Sequence, residues 1–248
     1  CDWSSDVCSS DLPEAGMNIG PAQLPERILR EVFFPPFEAA VKEANAASVM
    51  ASYNEIDGVP SHANDWLLND VLRGEWGFDG VVVADYFAIN ELQVRHRLVD
   101  SLGAAGALAI QSGVDFELPD GVAFYQMKEA IEAGDLDISV IDTAVERVLR
   151  MKKRGGVFED PYADGAEADA LTGNAEARAV ALEAAHKAAV LVKNEGGALP
   201  LDKSALTRVA IVGPNSDITV LGGYSDEPRQ TISILDGLKA EFGGAVEI

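Results

Sequence analysis

Residues 48–86 read SVMASYNEIDGVPSHANDWLLNDVLRGEWGFDGVVVADY and combine strand-like and helix-like apolar patterns. Residues 48–54 are typical of a buried strand, and residues 80–85 form a short, continuously apolar run that suits a parallel strand covered on both faces. Between them, apolar side chains recur at helical spacing after Asn64 or Asp65, either of which could cap a helix. The stretch therefore predicts a strand–helix–strand unit of a parallel α/β fold.

The same alternation continues on both sides of this unit. A helical pattern covers residues 24–46 and is broken or kinked at Pro35-Pro36. Further along, the pattern predicts a helix at about 99–110, a third strand at SGVDFEL (112–118) and a helix at 137–156. Roughly three such units are present, whereas a complete eight-unit barrel needs about 250 residues. Residues 13–156 are therefore predicted to be the C-terminal part of a (β/α)8-type barrel.

A polar, acidic and turn-rich stretch follows the last of these helices. Residues 157–174 are predicted to be a linker, since the pattern there has no apolar periodicity. A new helix is predicted at 175–190, and RVAIVGPN (208–215) is predicted to be a strand that ends in a turn. Residues 175–248 are therefore interpreted as the start of a second, truncated α/β domain.

Both ends of the chain are unusual. The first twelve residues, CDWSSDVCSSDL, lack an initial Met and an apolar signal core, and are interpreted as translated sequencing-adaptor sequence, with a disordered terminus as the alternative. Both cysteines, Cys1 and Cys8, lie in this segment, so neither a disulfide framework nor a thiolate metal site is expected. The other end, EFGGAVEI, is interpreted as an interrupted strand. The chain is thus expected to be an internal fragment of a longer protein.

The charge balance restricts the kinds of partner. The chain has 41 acidic and 19 basic residues, for a net charge of -22. This balance disfavours nucleic acid and an anionic membrane surface, both of which require a basic face. An apolar run of 18 residues, the length of a transmembrane helix, does not occur in the sequence. A neutral or cationic partner is therefore expected.

Functional side chains of parallel α/β folds collect where the strands end. Tyr53, Asp85 and Asp115 occupy such positions, and Asp85 follows four apolar residues directly. The alternative for Asp85 is the N-cap of a helix beginning at Phe87. His62, in the loop after the first strand, is expected to be a surface residue, with a substrate contact as the alternative. The tryptophans of the intervening helix, Trp66 and Trp76, are expected to pack in the core.

Several long motifs resemble glycoside hydrolase family 3, and they occur in the order of that family. The motifs are residues 48–86, SGVDFELP (112–119), AVERVLRMKKRGGVFEDPY (144–162), KNEGGALPL (193–201) and VAIVGPNSD with LGGYS after it. The resemblance covers the chain from about Gly16 to its end. It implies a retaining β-glycosidase with a barrel-like first domain and an α/β sandwich as the second, so the expected fold class is the C-terminal part of the barrel followed by the start of the sandwich.

The resemblance also assigns roles to residues. Asp85 matches the catalytic nucleophile, although Ala84-Asp85-Tyr86 stands where the family usually has Ser-Asp before an aromatic residue. Met50 and Tyr53 match sugar-binding positions, and Tyr86 matches an aromatic residue on the aglycone side. Asp115 is expected to be structural, and Tyr224 lies in a loop that resembles one reaching the sugar site.

The resemblance implies that the remaining parts of the family's site lie outside this chain. The family's Lys-His pair, an Arg and an Asp precede the matched region, and its acid/base Glu follows it. The mechanism that the resemblance implies uses neither metal nor cofactor.

Several alternatives stay open. The expected substrate is a β-linked oligosaccharide or glycoside with a terminal β-D-glucosyl residue, and the alternative within the family is a β-xylosidase or another β-glycosidase. An N-acetylglucosaminidase is disfavoured because a second domain begins here. A non-catalytic carbohydrate-binding relative is the alternative from another class. A nucleotide site at 208–223 is disfavoured, because neither GxGxxG nor a P-loop follows the strand. Oligomeric state and cellular location, periplasmic or secreted against cytoplasmic, are left unassigned.

Overall fold

The structure is a computed structural model, which describes residues 16–222, 225, 228, 230–244, 247 and 248. The chain divides into two compact units, residues 1–162 and 163–248. The segment interpreted as adaptor sequence, residues 1–12, lies outside the described residues.

The first helix, α1, consists of three consecutive segments: Glu26–Ile28, a π-helical turn at Leu29–Phe33, and Phe34–Lys42. The two prolines that were predicted to break or kink this helix lie in the first turn of the third segment. The first turn of a helix tolerates proline, because its N–H groups have no intrahelical acceptor there. The bonding changes from π-helical to α-helical just before the prolines, and the helix is not broken at them.

Two parallel strands form the framework of this unit. Strand β1 is Ser48–Met50 and strand β4 is Val81–Val83, and they pair with Met50 opposite Val83. A parallel bridge joins Val83 to Phe116, so the predicted third strand contributes one bridge rather than a ladder. Of these strands, β4 is buried as predicted, since both its neighbours are present. Strand β1 is shorter and more exposed than predicted, because β4 is its only strand partner among the described residues.

A hairpin and a helix connect the two parallel strands. Strands β2 (Glu55–Ile56) and β3 (Val59–Pro60) pair antiparallel around the predicted turn, in which Asp57 and Gly58 both have positive φ. Helix α2, Trp66–Glu75, has π-helical bonding. Its first turn is capped by Asn64, whose Oδ1 accepts the N–H of Leu67 at 3.0 Å.

Gly80 allows the chain to pass from α2 into β4. A side chain at this position would lie 2.3 Å from the carbonyl oxygen of Ala47, which is much closer than atoms can approach. Glycine therefore permits the close approach that brings β4 alongside β1.

Among the described residues, the first unit has four more α-helices: α3 (Ala88–Val94), α4 (Leu102–Gln111), α5 (Lys128–Ala133) and α6 (Ile138–Arg154). The predictions of α4 and α6 are confirmed. Ser101 accepts the N–H of Ala104 at the start of α4, and Asp137 accepts that of Ser139 at the start of α6. Side-chain caps of this kind satisfy N–H groups that have no partner inside the helix.

The main hydrophobic core lies between the helices and the two parallel strands. Its fully buried members include Val71 of α2, Val82 of β4 and Ile89 of α3. Trp76 is buried and Trp66 packs against the cluster, so the prediction that both tryptophans serve the core is confirmed. A smaller cluster joins α4 to α6 through Ala107, Ile110 and Ala144. This packing holds the end of β4, and hence Asp85, in a fixed framework.

The second unit contains the helices α7 (Gly165–Leu171), α8 (Ala175–Ala188) and α9 (Ile234–Phe242). Helix α8 is close to its predicted range, and α7 lies inside the segment predicted to be a linker. The strand predicted at 208–215 is represented by one parallel bridge, between Arg208 and Glu247. Of the described residues in this unit, only Ser233 and Phe242 are buried. A longer strand would need a neighbouring strand to pair with, and the described residues of this unit provide only the single bridge to Glu247.

Within the part of the chain that the structure describes, the helices are too short or too polar to cross a bilayer.

Candidate active site

Asp85 lies directly after β4 and is held through its backbone. Its N–H donates to His62 Nε2 at 3.2 Å, and its carbonyl oxygen accepts the N–H of Ala88 at 3.1 Å. The residue is half-buried, and its Oδ1 accepts the N–H of Tyr86 at 2.7 Å. Helix α3 begins at Ala88 and has Phe87 as its N-cap. The alternative in which Asp85 caps this helix is therefore wrong, because the capping position belongs to a residue two places later.

Aromatic side chains surround the Asp85 turn. Tyr53, in the loop after β1, donates its hydroxyl to the carbonyl of Tyr86 at 2.6 Å. Tyr86 and Phe87 are each about half-exposed, and their rings meet edge to face with centroids 6.5 Å apart. Phe87 has a φ of 61°, a conformation that is unusual for a bulky residue. The structure thus brings Tyr53, Asp85 and Tyr86 together, as their proposed roles require.

His62 is buried, so the expectation that it lies on the surface is wrong. Its side chain is in a short 3-10 turn, Ser61–Ala63, and the residue is 2% exposed. Burial lowers the pKa of His62 to about 4, and the nearby His96 acts in the same direction. The imidazole is therefore neutral at pH 7 and can accept the N–H of Asp85. The sequence signal that could have indicated this position is its place directly after the β2–β3 hairpin, which follows the Tyr53 loop.

Asp115 is enclosed in a cluster of arginines. Its Oδ2 accepts from Arg73 at 2.5 Å and from the N–H of Val82 at 2.8 Å, and its Oδ1 accepts from Arg147 at 2.8 Å. The carboxyl side chain is 1% exposed. Burial lowers the pKa of Arg73, and the adjacent carboxylate of Asp115 opposes that effect. The Asp115 carboxylate joins α2, β4 and α6, and this arrangement supports its predicted structural role.

Glu117 fixes the loop beside the Asp85 turn and was not identified from the sequence. Its two carboxylate oxygens accept the N–H groups of Ala123 and Phe124 at 2.9 and 2.8 Å. Burial raises the pKa of this carboxyl, although both hydrogen bonds oppose the shift. The same loop accepts the N–H of Phe87 through the carbonyl of Leu118 at 2.9 Å. Alternation along the third strand, which places Glu117 on the same side as Asp115, is the signal that could have found it.

The structure does not place Met50 or Tyr224 among the residues that it brings together around Asp85. Met50 ends β1 and is half-buried, and it lines an apolar cavity between β1, α1 and α2 together with Phe37 and Trp76. Its backbone lies opposite Val83, two residues before Asp85. Tyr224 lies outside the described residues.

The chemical capacity of the site comes from one carboxylate among aromatic rings. Across the described residues, no group of three or more His, Cys, Asp or Glu side chains could hold a metal ion. A half-buried carboxylate in a rigid turn can act as a nucleophile or stabilise a positive charge, and adjacent aromatic rings suit the apolar face of a sugar.

Comparison with known proteins identifies both units. Residues 10–151 match the model of the glycosyl hydrolase family 3 N-terminal domain, and residues 189–246 match that of the C-terminal domain of the same family. These matches confirm the predicted fold class, a portion of a barrel-type domain followed by the start of an α/β domain.

Individual relatives agree with the family models. The chain is 39% identical to a β-xylosidase of Formosa agariphila, over 94% of this chain and 34% of the relative. A β-glucosidase structure from Erythrobacter marinus superposes with a TM-score of 0.89 at 37% identity, over 96% of this chain and 32% of that one. A β-glucosidase structure from Listeria innocua in complex with glucose gives a TM-score of 0.80 at 35% identity, over 92% and 32% of the respective chains. The chain therefore spans about a third of the length of these relatives, and it belongs to glycoside hydrolase family 3.

Proposed function

We propose that this chain carries the nucleophile of a retaining β-glycosidase, and that the nucleophile is Asp85. The observation that supports this most directly is the position of its half-buried carboxylate, at the end of a buried parallel strand and inside a turn held by side chains from two other loops. Strand ends are the places where catalytic residues of α/β barrels gather. The match to the family's N-terminal domain model covers this position.

In the proposed reaction, a carboxylate oxygen of Asp85 attacks the anomeric carbon of the substrate. The bond from that carbon to the leaving oxygen breaks, and the leaving oxygen takes a proton from a carboxylic acid. Water then gives a proton to the resulting carboxylate and attacks the anomeric carbon, which releases Asp85 and regenerates the acid. Because the two attacks come from opposite faces of the sugar and each inverts the anomeric carbon, the product keeps the β configuration.

The acid/base group of this scheme is proposed to lie in polypeptide beyond these 248 residues. Retention requires two carboxyl groups about 5–5.5 Å apart. The chain spans about a third of its relatives, so most of a family member's residues are not represented in it. The purified 248-residue chain is therefore expected to show no turnover of an aryl β-glycoside, and measurable turnover would contradict this part of the proposal.

The sugar contacts proposed within this chain are Tyr53, Met50 and Tyr86. Tyr53 and Tyr86 meet at the Asp85 turn, and Tyr86 exposes half of its surface on the side proposed for the leaving group. The substrate proposed first is a terminal β-D-glucosyl residue, because the two superposed structures are β-glucosidases. A β-xylosyl residue is the second candidate, supported by the identity to the Formosa β-xylosidase. A non-catalytic carbohydrate-binding protein is disfavoured because Asp85 is retained.

Covalent labelling tests the proposal. The full-length polypeptide that contains this chain is treated with 2-fluoro-β-glucosyl and 2-fluoro-β-xylosyl fluorides, and the labelled peptide is identified by mass spectrometry. Attachment is expected at Asp85, and the faster of the two reagents identifies the preferred sugar. Labelling at a different residue, or no labelling by either reagent, would overturn the assignment.

A further inference from the structure

The backbone N–H of Asp85 has an unusual partner for a strand-end peptide. It donates to His62 Nε2 at 3.2 Å, and His62 comes from the 3-10 turn after β3, 23 residues earlier in the chain. A ring nitrogen can accept this bond only through its lone pair, so Nε2 is unprotonated and the ring proton is on Nδ1. The contact therefore requires a neutral imidazole in one defined tautomer.

Buried hydrogen bonds fix the turn that carries His62. The preceding residue, Ser61, donates its hydroxyl to the carbonyl of Asn54 at 2.8 Å and lies 3.0 Å from the hydroxyl of Ser52. The imidazole itself is hydrogen-bonded to the backbone of Ser52. Asn54, Ser61 and His62 are each 2% exposed. Because buried polar groups of this kind resist displacement, the ring has little freedom to move away from the Asp85 peptide.

The other bonds around this peptide show what His62 adds. The N–H of the preceding residue, Ala84, donates to Phe116 at 2.8 Å, and the carbonyl of the following residue, Tyr86, accepts from Tyr53. These bonds fix the peptides on either side, and His62 holds the N–H of the nucleophile itself. Without His62 this donor would lose its acceptor at a half-buried position, and the peptide plane would gain freedom to rotate.

We propose that His62 is a positioning residue for Asp85, and that its neutral imidazole sets the direction in which the carboxylate is presented to the anomeric carbon. This inference rests on the proposed function of Asp85. Misplacement of a reacting group by about 1 Å can reduce a rate by about 10²-fold. His62 acts through the Asp85 peptide, so it is expected to affect the chemical step more than substrate affinity.

Local charges are compatible with this role. The titratable groups around His62 are Asp85, His96 and, through His96, Glu55, whose Oε2 lies 3.7 Å from His96 Nδ1. Burial opposes protonation of His62, which keeps the lone pair available over the neutral range. A proton on Nε2 would place two donors against each other and break the contact with Asp85.

Three variants of the full-length protein test the proposal. His62→Leu removes the acceptor and keeps an apolar side chain of similar volume, whereas His62→Gln can still accept through Oε1. His96→Gln is the matched control, because it removes the imidazole next to His62 and leaves the acceptor of the Asp85 N–H in place. The measurements are the rate of trapping at Asp85 by a 2-fluoro glycoside, the kcat and KM for an aryl β-glycoside, and the thermal unfolding midpoint.

The trapping rate and kcat of His62→Leu are expected to fall about 10- to 100-fold, with KM within about twofold of the unchanged protein. His62→Gln is expected to recover most of this loss, and His96→Gln to trap at the normal rate. If His62→Leu traps as fast as the unchanged protein and loses only thermal stability, the positioning role is wrong. If the unchanged protein does not trap at Asp85, the proposed function itself is wrong.

A pH measurement covers the case in which His62→Leu does not fold. As the pH falls, the trapping rate of the unchanged protein is expected to decrease more steeply than that of His62→Gln. The reason is that acid can protonate the imidazole of His62 but not the amide of a glutamine. The limiting slope of the logarithm of the rate against pH is expected to decrease from about two towards one in His62→Gln, since one of two essential deprotonated groups is removed. Equal slopes would overturn the proposal.

Discussion

Asp85 and Asp115 both follow apolar residues at the ends of neighbouring parallel segments, but their surroundings differ. The carboxylate of Asp115 is 1% exposed and accepts bonds from two arginines and the N–H of Val82. Asp85 is half-buried, and its N–H is bound by a neutral histidine. The first arrangement holds a charge between three elements, and the second holds the backbone of the proposed nucleophile.

The comparison teaches that strand-end position alone does not identify a catalytic carboxylate. For Asp115, the buried cations that converge on the side chain support a structural role. Arg73 of α2 and Arg147 of α6 point to the same aspartate from two helices. Aromatic rings are gathered at the other aspartate. Substitutions at the two sites should therefore separate catalysis from folding.

The largest effect is expected from Asp85→Ala in the full-length protein. Removal of the proposed nucleophile should lower kcat for an aryl β-glycoside by at least about 10⁴-fold, equivalent to roughly 5 kcal/mol of lost transition-state stabilisation. The unfolding midpoint in urea should change little, because the variant loses the bond from the Tyr86 N–H but keeps the bonds of His62 and Tyr53 to the backbone of the turn. Full activity in this variant would contradict the proposed role of Asp85 and leave neither aspartate with a catalytic role.

Asp115→Asn should show the opposite behaviour. Loss of the Asp115 charge leaves Arg73 and Arg147 partly buried without a countercharge. The free energy of unfolding should therefore fall by about 3–5 kcal/mol. The matched control is Asp79→Asn, which breaks an ion pair with Arg154 whose side chains are more than half exposed. That change should cost less than about 1 kcal/mol. Equal losses from the two variants, measured by urea unfolding at pH 7, would show that the arginine cluster is not a structural centre.

Acid should lower the free energy of unfolding through protonation of His62, which binds the Asp85 N–H. The pKa of His62 is about 4 in the folded protein and 6.5 in its ordinary state. The unfolded chain therefore takes up a proton first as the pH falls, so stability that is present above pH 6.5 decreases progressively towards pH 4. At pH 4.5 the loss should be about 2–3 kcal/mol. Urea unfolding of His62→Gln should lack this component, and an unchanged pH dependence in that variant would contradict the assignment.

Local patterns predicted α1, α2, α4 and α6 of the first unit and α8 of the second, but not α5, α7 or α9. Asp137 and the glycines after Arg154 mark the ends of α6, and Asn174 begins α8 through its bond to Ala177. These signals lie within a few residues of the feature they define. For the same reason β4 was predictable, because a short apolar run indicates a strand buried on both faces.

Features that depend on distant partners were not predictable in the same way. The strand expected at 208–215 is reduced to one bridge with Glu247, and Val212 within it is 92% exposed. The pairing of Asp115 with Arg73 and Arg147 spans 42 and 32 residues. The burial of His62 depends equally on the packing of separate loops. A sequence pattern records which face of an element is apolar, but not which side chain from another element arrives there.

The smallest expected effect distinguishes two roles for Tyr53. The resemblance assigns it to the sugar, and the structure gives its hydroxyl a bond to the carbonyl of Tyr86 at 2.6 Å. Tyr53→Phe keeps the ring but removes that bond, so about 1 kcal/mol of support for the Asp85 turn should be lost. If the hydroxyl mainly holds the turn, kcat should fall about fivefold while KM stays within twofold. If it mainly binds the sugar, KM should rise instead, and the turn would then depend on His62 more than on Tyr53. His62→Gln, measured alongside, shows which of the two contacts the carboxylate needs more.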